Sequence, residues 1–157
     1  MSTSTPLGSR DPIVVGLDGS PQSRQALRWA AEMARLLDAP INVVTAWQYP
    51  TTYGYAAPLT DWNPEDDGRQ VQEEAIAGVF GDEPPEDLAR ILQPGGAAAV
   101  LLEASQTALM LVVGSRGHGG FAGLLLGSVS ATVAEHASCP VLIVHGDQPP
   151  PPMDGAA

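Results

Sequence analysis

The sequence predicts a doubly wound α/β fold, a five-stranded parallel sheet with helices on both faces. Three observations lead there. Short apolar runs rich in Val and Ile alternate with longer segments of helical period over the 157 residues. Gly, Pro and Asp punctuate the borders between them. The alternation holds from the first run to the last, and strands joined through helices form parallel sheets with helices packed on both sides.

Residues 1–11 are small and polar and read as a flexible tail. Ile13 to Leu17 is the first strand, and Asp18-Gly19-Ser20-Pro21 ends it. Ser20 is placed to cap the next helix with Pro21 at its first position. That helix runs to Leu37, and Leu27, Ala30, Ala31, Ala34 and Leu37 form its expected buried stripe. Asp38-Ala39-Pro40 breaks it before a strand over Ile41 to Trp47. Tyr49 to Pro64 is rich in Pro, Thr and Tyr without a clean period, so residues 48–66 read as a long surface loop or functional lid. An acidic helix is expected over Asp66 to Phe80, a short strand over Leu88 to Leu92, and a helix over Ala97 to Ser105. A strand from Leu109 to Val113, a helix from Ser128 to Ala137 and a strand from Val141 to His145 complete the domain, 12–146. Residues 147–157 contain four successive prolines and read as a disordered tail.

Composition narrows the function. The formal charge of −11 opposes nucleic-acid binding, and ten of the eighteen acids fall between Asp61 and Asp87, an acidic solvated face. No apolar run is long enough for a bilayer, and the first residues lack a signal-peptide pattern, so a cytoplasmic protein without membrane contact is expected. Cys139 is the single cysteine and reads as a buried structural thiol. His118, His136 and His145 are scattered without metal-ligand spacing.

The organising stretch is Val112 to Val129, VVGSRGHGGFAGLLLGSV. It reads as strand, glycine-rich loop, helix. Glycine lets backbone N–H groups approach an anion closely and reaches φ values closed to other residues. A helix N-terminus adds partial positive charge, and Arg116 is the formal cation of the loop. The arrangement is a phosphate cradle at the carboxyl end of a strand. It is not a Walker A loop, which requires Lys before Ser or Thr, because the chain contains no lysine. Nor do Gly114, Gly117 and Gly119 have the GxGxxG spacing. The other reading is a glycine-rich turn without ligand.

Gly114, Gly117, Gly127 and Ser128 match G-x2-G-x9-G-(S/T) position by position. With GSRGHGG, LLLGSV and IVVGLDGS, the chain resembles the ATP-binding subgroup of the universal stress protein family from Pro12 to His145. The resemblance implies a Rossmann-like sheet of order 3-2-1-4-5, with the first and fourth strands adjacent at the point where ligands bind. It also implies Asp18 at the adenosine end, a backbone contact to adenine from Ala46, and the Ser128 hydroxyl on a terminal phosphate. The nucleotide set is then Asp18, Ala46, Gly114, Arg116, Gly117, Gly127, Ser128 and Val129. ATP is the expected ligand, with AMP or ADP as other bound states and magnesium left open. The implied role is a regulatory binding module of the stress response. A nucleotide-free partner-binding protein and a very slow ATP hydrolase are the alternatives. The uncharged edge run Val141 to His145 further predicts a homodimer. One departure from the family is Leu109, where an acidic residue often precedes the fourth strand.

Overall fold

A computed structural model of the chain describes residues 10–49, 62–117, 126–146 and 149–151. The expectations for loop residues 50–61, for His118, and for most of both tails lie outside the described residues. The elements follow in the order β1 (Ile13–Gly16), α1 (Pro21–Leu37), β2 (Ile41–Trp47), α2 (Pro64–Phe80), β3 (Leu88–Pro94), α3 (Ala97–Ser105), β4 (Met110–Gly114), α4 (Ser128–His136) and β5 (Val141–Val144). The strands form one five-stranded sheet in the order β3-β2-β1-β4-β5. Every neighbouring pair is parallel.

Alternation along the strands decides which side chain meets which layer. Ile13, Val15, Ile41, Val43 and Val112 face α1 and α2 in one buried cluster. Val14, Val44, Leu111 and Val113 join Val100 and Leu101 of α3 and Val133 of α4 in the other. Both faces are therefore apolar, which is why these strands read as continuous hydrophobic runs.

Ser20 caps α1 as expected, its Oγ accepting from the Ser23 N–H at 3.2 Å. Leu37, expected in the buried stripe, is instead 46% exposed. The helix closes one residue later at Asp38, in the left-handed region, and both Asp38 and Ala39 donate to the Ala34 carbonyl. Ala39 is carried inward in its place, the usual packing after such a turn.

Helix α2 starts two residues earlier than expected. Asn63 accepts from the Glu65 N–H at 3.0 Å, and Pro64 occupies the first helical position. Strand β3 runs two residues further than expected, to Pro94, because it pairs with β2 out to Trp47. Strand β4 is shifted one residue, since Leu109 donates to Pro12 before the ladder begins. Strands β1 and β5 and helix α4 each end one residue early.

One buried polar group ties the sheet to α2. Gln72 is 1% exposed. Its Nε2 lies 2.8 Å from the Ile91 carbonyl, 3.2 Å from the Val43 carbonyl and 3.0 Å from Thr45 Oγ1. Thr45 in turn donates to the Leu17 carbonyl at 2.8 Å. Cys139, expected to be buried, is half-buried against the second cluster; burial pushes its thiol pKa up, while a hydrogen bond with the Leu111 backbone acts the other way.

Candidate functional site

The site lies where β1 and β4, neighbours in the sheet, send their chains to opposite faces. After β1 the chain enters α1 on one face; α4, after β4, packs on the other. A crevice opens between them, the usual ligand position in such sheets.

On the β1 side, Leu17 donates to the Val44 carbonyl at 3.0 Å and accepts from Thr45, so both of its backbone groups are held. Asp18 follows. Its Oδ1 accepts from the Ser20 N–H at 2.9 Å, an Asx turn that orients the carboxylate. On the β4 side, Ser115 donates its N–H to Val144 and its hydroxyl to Gln22 Oε1. Gln22 Oε1 also accepts the Arg116 N–H at 2.6 Å. The Ser115 carbonyl accepts from the Gly127 N–H at 2.7 Å and from the Ser130 hydroxyl at 2.7 Å. These bonds draw Gly127 and the start of α4 against the end of β4.

The glycines serve this closeness. A carbon added to Gly117 would overlap Asp18 Oδ2. One added to Gly114 would lie 2.9 Å from Gln22 Cβ and 3.0 Å from its carbonyl carbon. At Gly127 such a carbon meets only ordinary contacts, the nearest at 3.5 Å. For the three described glycines of the motif, the expectation of unusual φ does not hold. Gly114, Gly117 and Gly127 are not among the positive-φ residues, and what Gly114 and Gly117 provide is space.

Ser128 begins α4 and does not cap it; Gly127 is the N-cap. Helix α3 likewise starts from a glycine, Gly96. Neither helix receives a side-chain cap among the described residues, in contrast to α1. Both first turns border the same cavity, through Ala97 of α3 and Ser128, Val129 and Ser130 of α4. Their leading N–H groups have no intrahelical acceptor, which favours an anion there.

All eight residues singled out in the sequence line this one cavity of about 270 Å³: Asp18, Ala46, Gly114, Arg116, Gly117, Gly127, Ser128 and Val129. Val44, Ala46 and Leu101 form an apolar wall toward β2 and α3. The loop and the start of α4 form the polar wall. Sequence reasoning missed Gln22, Ser115 and Ser130, which build the loop. Their signal was weak, because a Gln or Ser in a helix first turn, or a Ser just after a strand, reads as solvated until the partner element is known. Among the described residues, no group of three or more His, Cys, Asp and Glu is placed to hold a metal, and no helix is long and apolar enough to cross a membrane.

Residues 9–145 match the family described as the Universal stress protein family. The chain belongs to the universal stress protein family. It is 37% identical over 145 residues to a universal stress protein of Mycolicibacterium smegmatis, an alignment covering 86% of this chain and 48% of that protein. The chain thus spans about half the length of the curated relatives it matches. Among solved structures it is similar to a universal stress protein in complex with cAMP, at 31% identity and a TM-score of 0.62, covering 86% of this chain and 96% of that one. A universal stress protein from Archaeoglobus fulgidus in complex with dAMP shares the fold, at 23% identity and a TM-score of 0.62 over 86% and 98% of the two chains. The strand order 3-2-1-4-5 expected of a universal stress protein is the one found.

Proposed function

We propose that this universal stress protein binds an adenine nucleotide in the cavity and acts as an ATP-binding regulatory module in the cytoplasm, with ADP or AMP as further occupants. The observation that carries the reading is the division of the cavity into two unlike walls. The apolar wall of Val44, Ala46 and Leu101 suits a base, and the glycine loop with Arg116 and the start of α4 suits phosphates. Asp18, just beyond β1, lines the same cavity beside Gly117. The similar universal stress protein solved with cAMP supports an adenine nucleotide as the class of ligand. A net charge of −11 repels such an anion at long range, so Arg116 and the uncapped helix starts must reverse the field locally.

Isothermal titration of the folded protein with ATP and AMP tests this. Saturable binding is expected for both, and no binding at millimolar ATP rejects the proposal. Ser128→Ala should weaken ATP roughly fivefold, about 1 kcal/mol for one hydrogen bond, and leave AMP nearly unchanged. Equal loss for both nucleotides would remove Ser128 from the terminal phosphate. Asp18→Ala should instead weaken both alike.

The same reading makes the module, residues 12–146, a homodimer through β5. This strand is a sheet edge, and Val141, Leu142 and Ile143 are only partly buried within the chain, while Val144 is buried. Leu142→Lys should shift the species seen by light scattering from dimer to monomer. A variant dimer of undiminished strength would place the contact elsewhere.

A further inference from the structure

Gln22 belongs to the first turn of α1, yet its amide reaches across the crevice into the loop after β4. Its Oε1 accepts two bonds, from the Arg116 N–H at 2.6 Å and the Ser115 hydroxyl at 3.0 Å. Helix α1 comes this close because Gly114 has no side chain to hold it off. The rest of Ser115 is also engaged. Its N–H goes to Val144, and its carbonyl receives Gly127 and Ser130. A loop meant only to offer N–H groups to an anion would leave the Arg116 N–H open. Here that N–H is already taken by a neutral amide oxygen.

We infer that Gln22 is a positioning residue for the phosphate loop. It removes the Arg116 N–H from the anion-binding set and holds the backbone so that Gly117 and the first turn of α4 meet the ligand. The Arg116 side chain keeps its charge for the same ligand, because only its backbone is engaged by Gln22. The ligand half of this inference rests on the nucleotide reading of the cavity; the loop half does not.

Two variants separate the cases. Gln22→Met keeps length and removes the acceptor, while Gln22→Glu keeps an acceptor at the same reach. Both sit in a half-buried first turn, and circular dichroism confirms that they fold. In nucleotide-free protein, exchange of the Arg116 amide followed by NMR should quicken about tenfold in Gln22→Met and stay near wild type in Gln22→Glu. Gln22→Met should also weaken ATP about tenfold and adenosine less than about twofold, since adenosine does not reach the loop. Unchanged Arg116 exchange in Gln22→Met would overturn the inference, as would equal weakening of ATP and adenosine. If wild type binds neither ligand, the nucleotide reading fails, and the exchange comparison still decides whether Gln22 holds the loop.

Discussion

Gly117→Val is expected to weaken ATP binding by about thirtyfold while the sheet stays folded. The new side chain would occupy the space of Asp18 Oδ2, so the carboxylate must leave its turn with the Ser20 N–H or the loop must retreat from β1. Overpacking of this kind costs roughly 1–3 kcal/mol, and 2 kcal/mol is about thirtyfold in affinity. The cost falls on the site because Gly117 and Asp18 are both exposed and away from the two buried clusters. A double-mutant cycle identifies the cause. If the clash with Asp18 is responsible, Gly117→Val should cost less in an Asp18→Ala background than in wild type. Strict additivity of the two losses would show that the valine acts on the phosphates alone.

Gly114→Val is expected to act on stability first. Its added carbon would meet the backbone of Gln22, with the carbonyl carbon at 3.0 Å and the oxygen at 3.1 Å. Backbone in a helix start cannot swing aside as a carboxylate can. Helix α1 must lift from β4, which disturbs the packing of Ala26 and Leu27, both fully buried. An overpacking cost of about 2 kcal/mol corresponds to a fall in melting temperature of roughly 4–8 °C for a chain of this size. Differential scanning calorimetry measures it. A melting temperature within a degree of wild type would mean that the helix yields freely, and the close approach would then carry no structural weight.

Much of the fold could be read from the chain because its central strands, β2, β1 and β4, obey one rule, which the half-exposed β3 does not share. They are apolar on both faces and separated by helices with clear starts, such as Ser20-Pro21. The misplacements have two causes, a partner distant in sequence or a local cap or turn that periodicity does not weigh. Strand β3 extends to Pro94 because Trp47 lies opposite, and nothing in LARILQP announces that. Leu37 looked like a core residue by periodicity, but the left-handed turn at Asp38 brings Ala39 inward instead. At the site, glycine spacing brought out the backbone that must come close, and all eight chosen residues line one cavity. It could not bring out Gln22, whose partners lie more than ninety residues away. The reason for the glycines was also hidden. Spacing cannot distinguish a glycine needed for its φ from one needed for its missing side chain, and Gly114 and Gly117 are of the second kind.

The buried amide of Gln72 carries a consequence for how the sheet assembles. Its two hydrogens are shared among acceptors on β2 and β3, and one of those, Thr45, passes its own hydrogen to the end of β1. Three strands must therefore sit at the right offset before this group is satisfied. A strand that slips by one residue turns its apolar side chains over, but both layers of this sheet are apolar, so hydrophobic burial alone discriminates weakly against the slip. A polar group stranded in the core discriminates strongly, at about 1–3 kcal/mol for each unmet partner. Gln72 thus works as a proofreader of alignment, and it does so beneath the strand end that presents Asp18. Misthreaded sheets are penalised at the place where an error of one residue would displace the ligand-facing carboxylate.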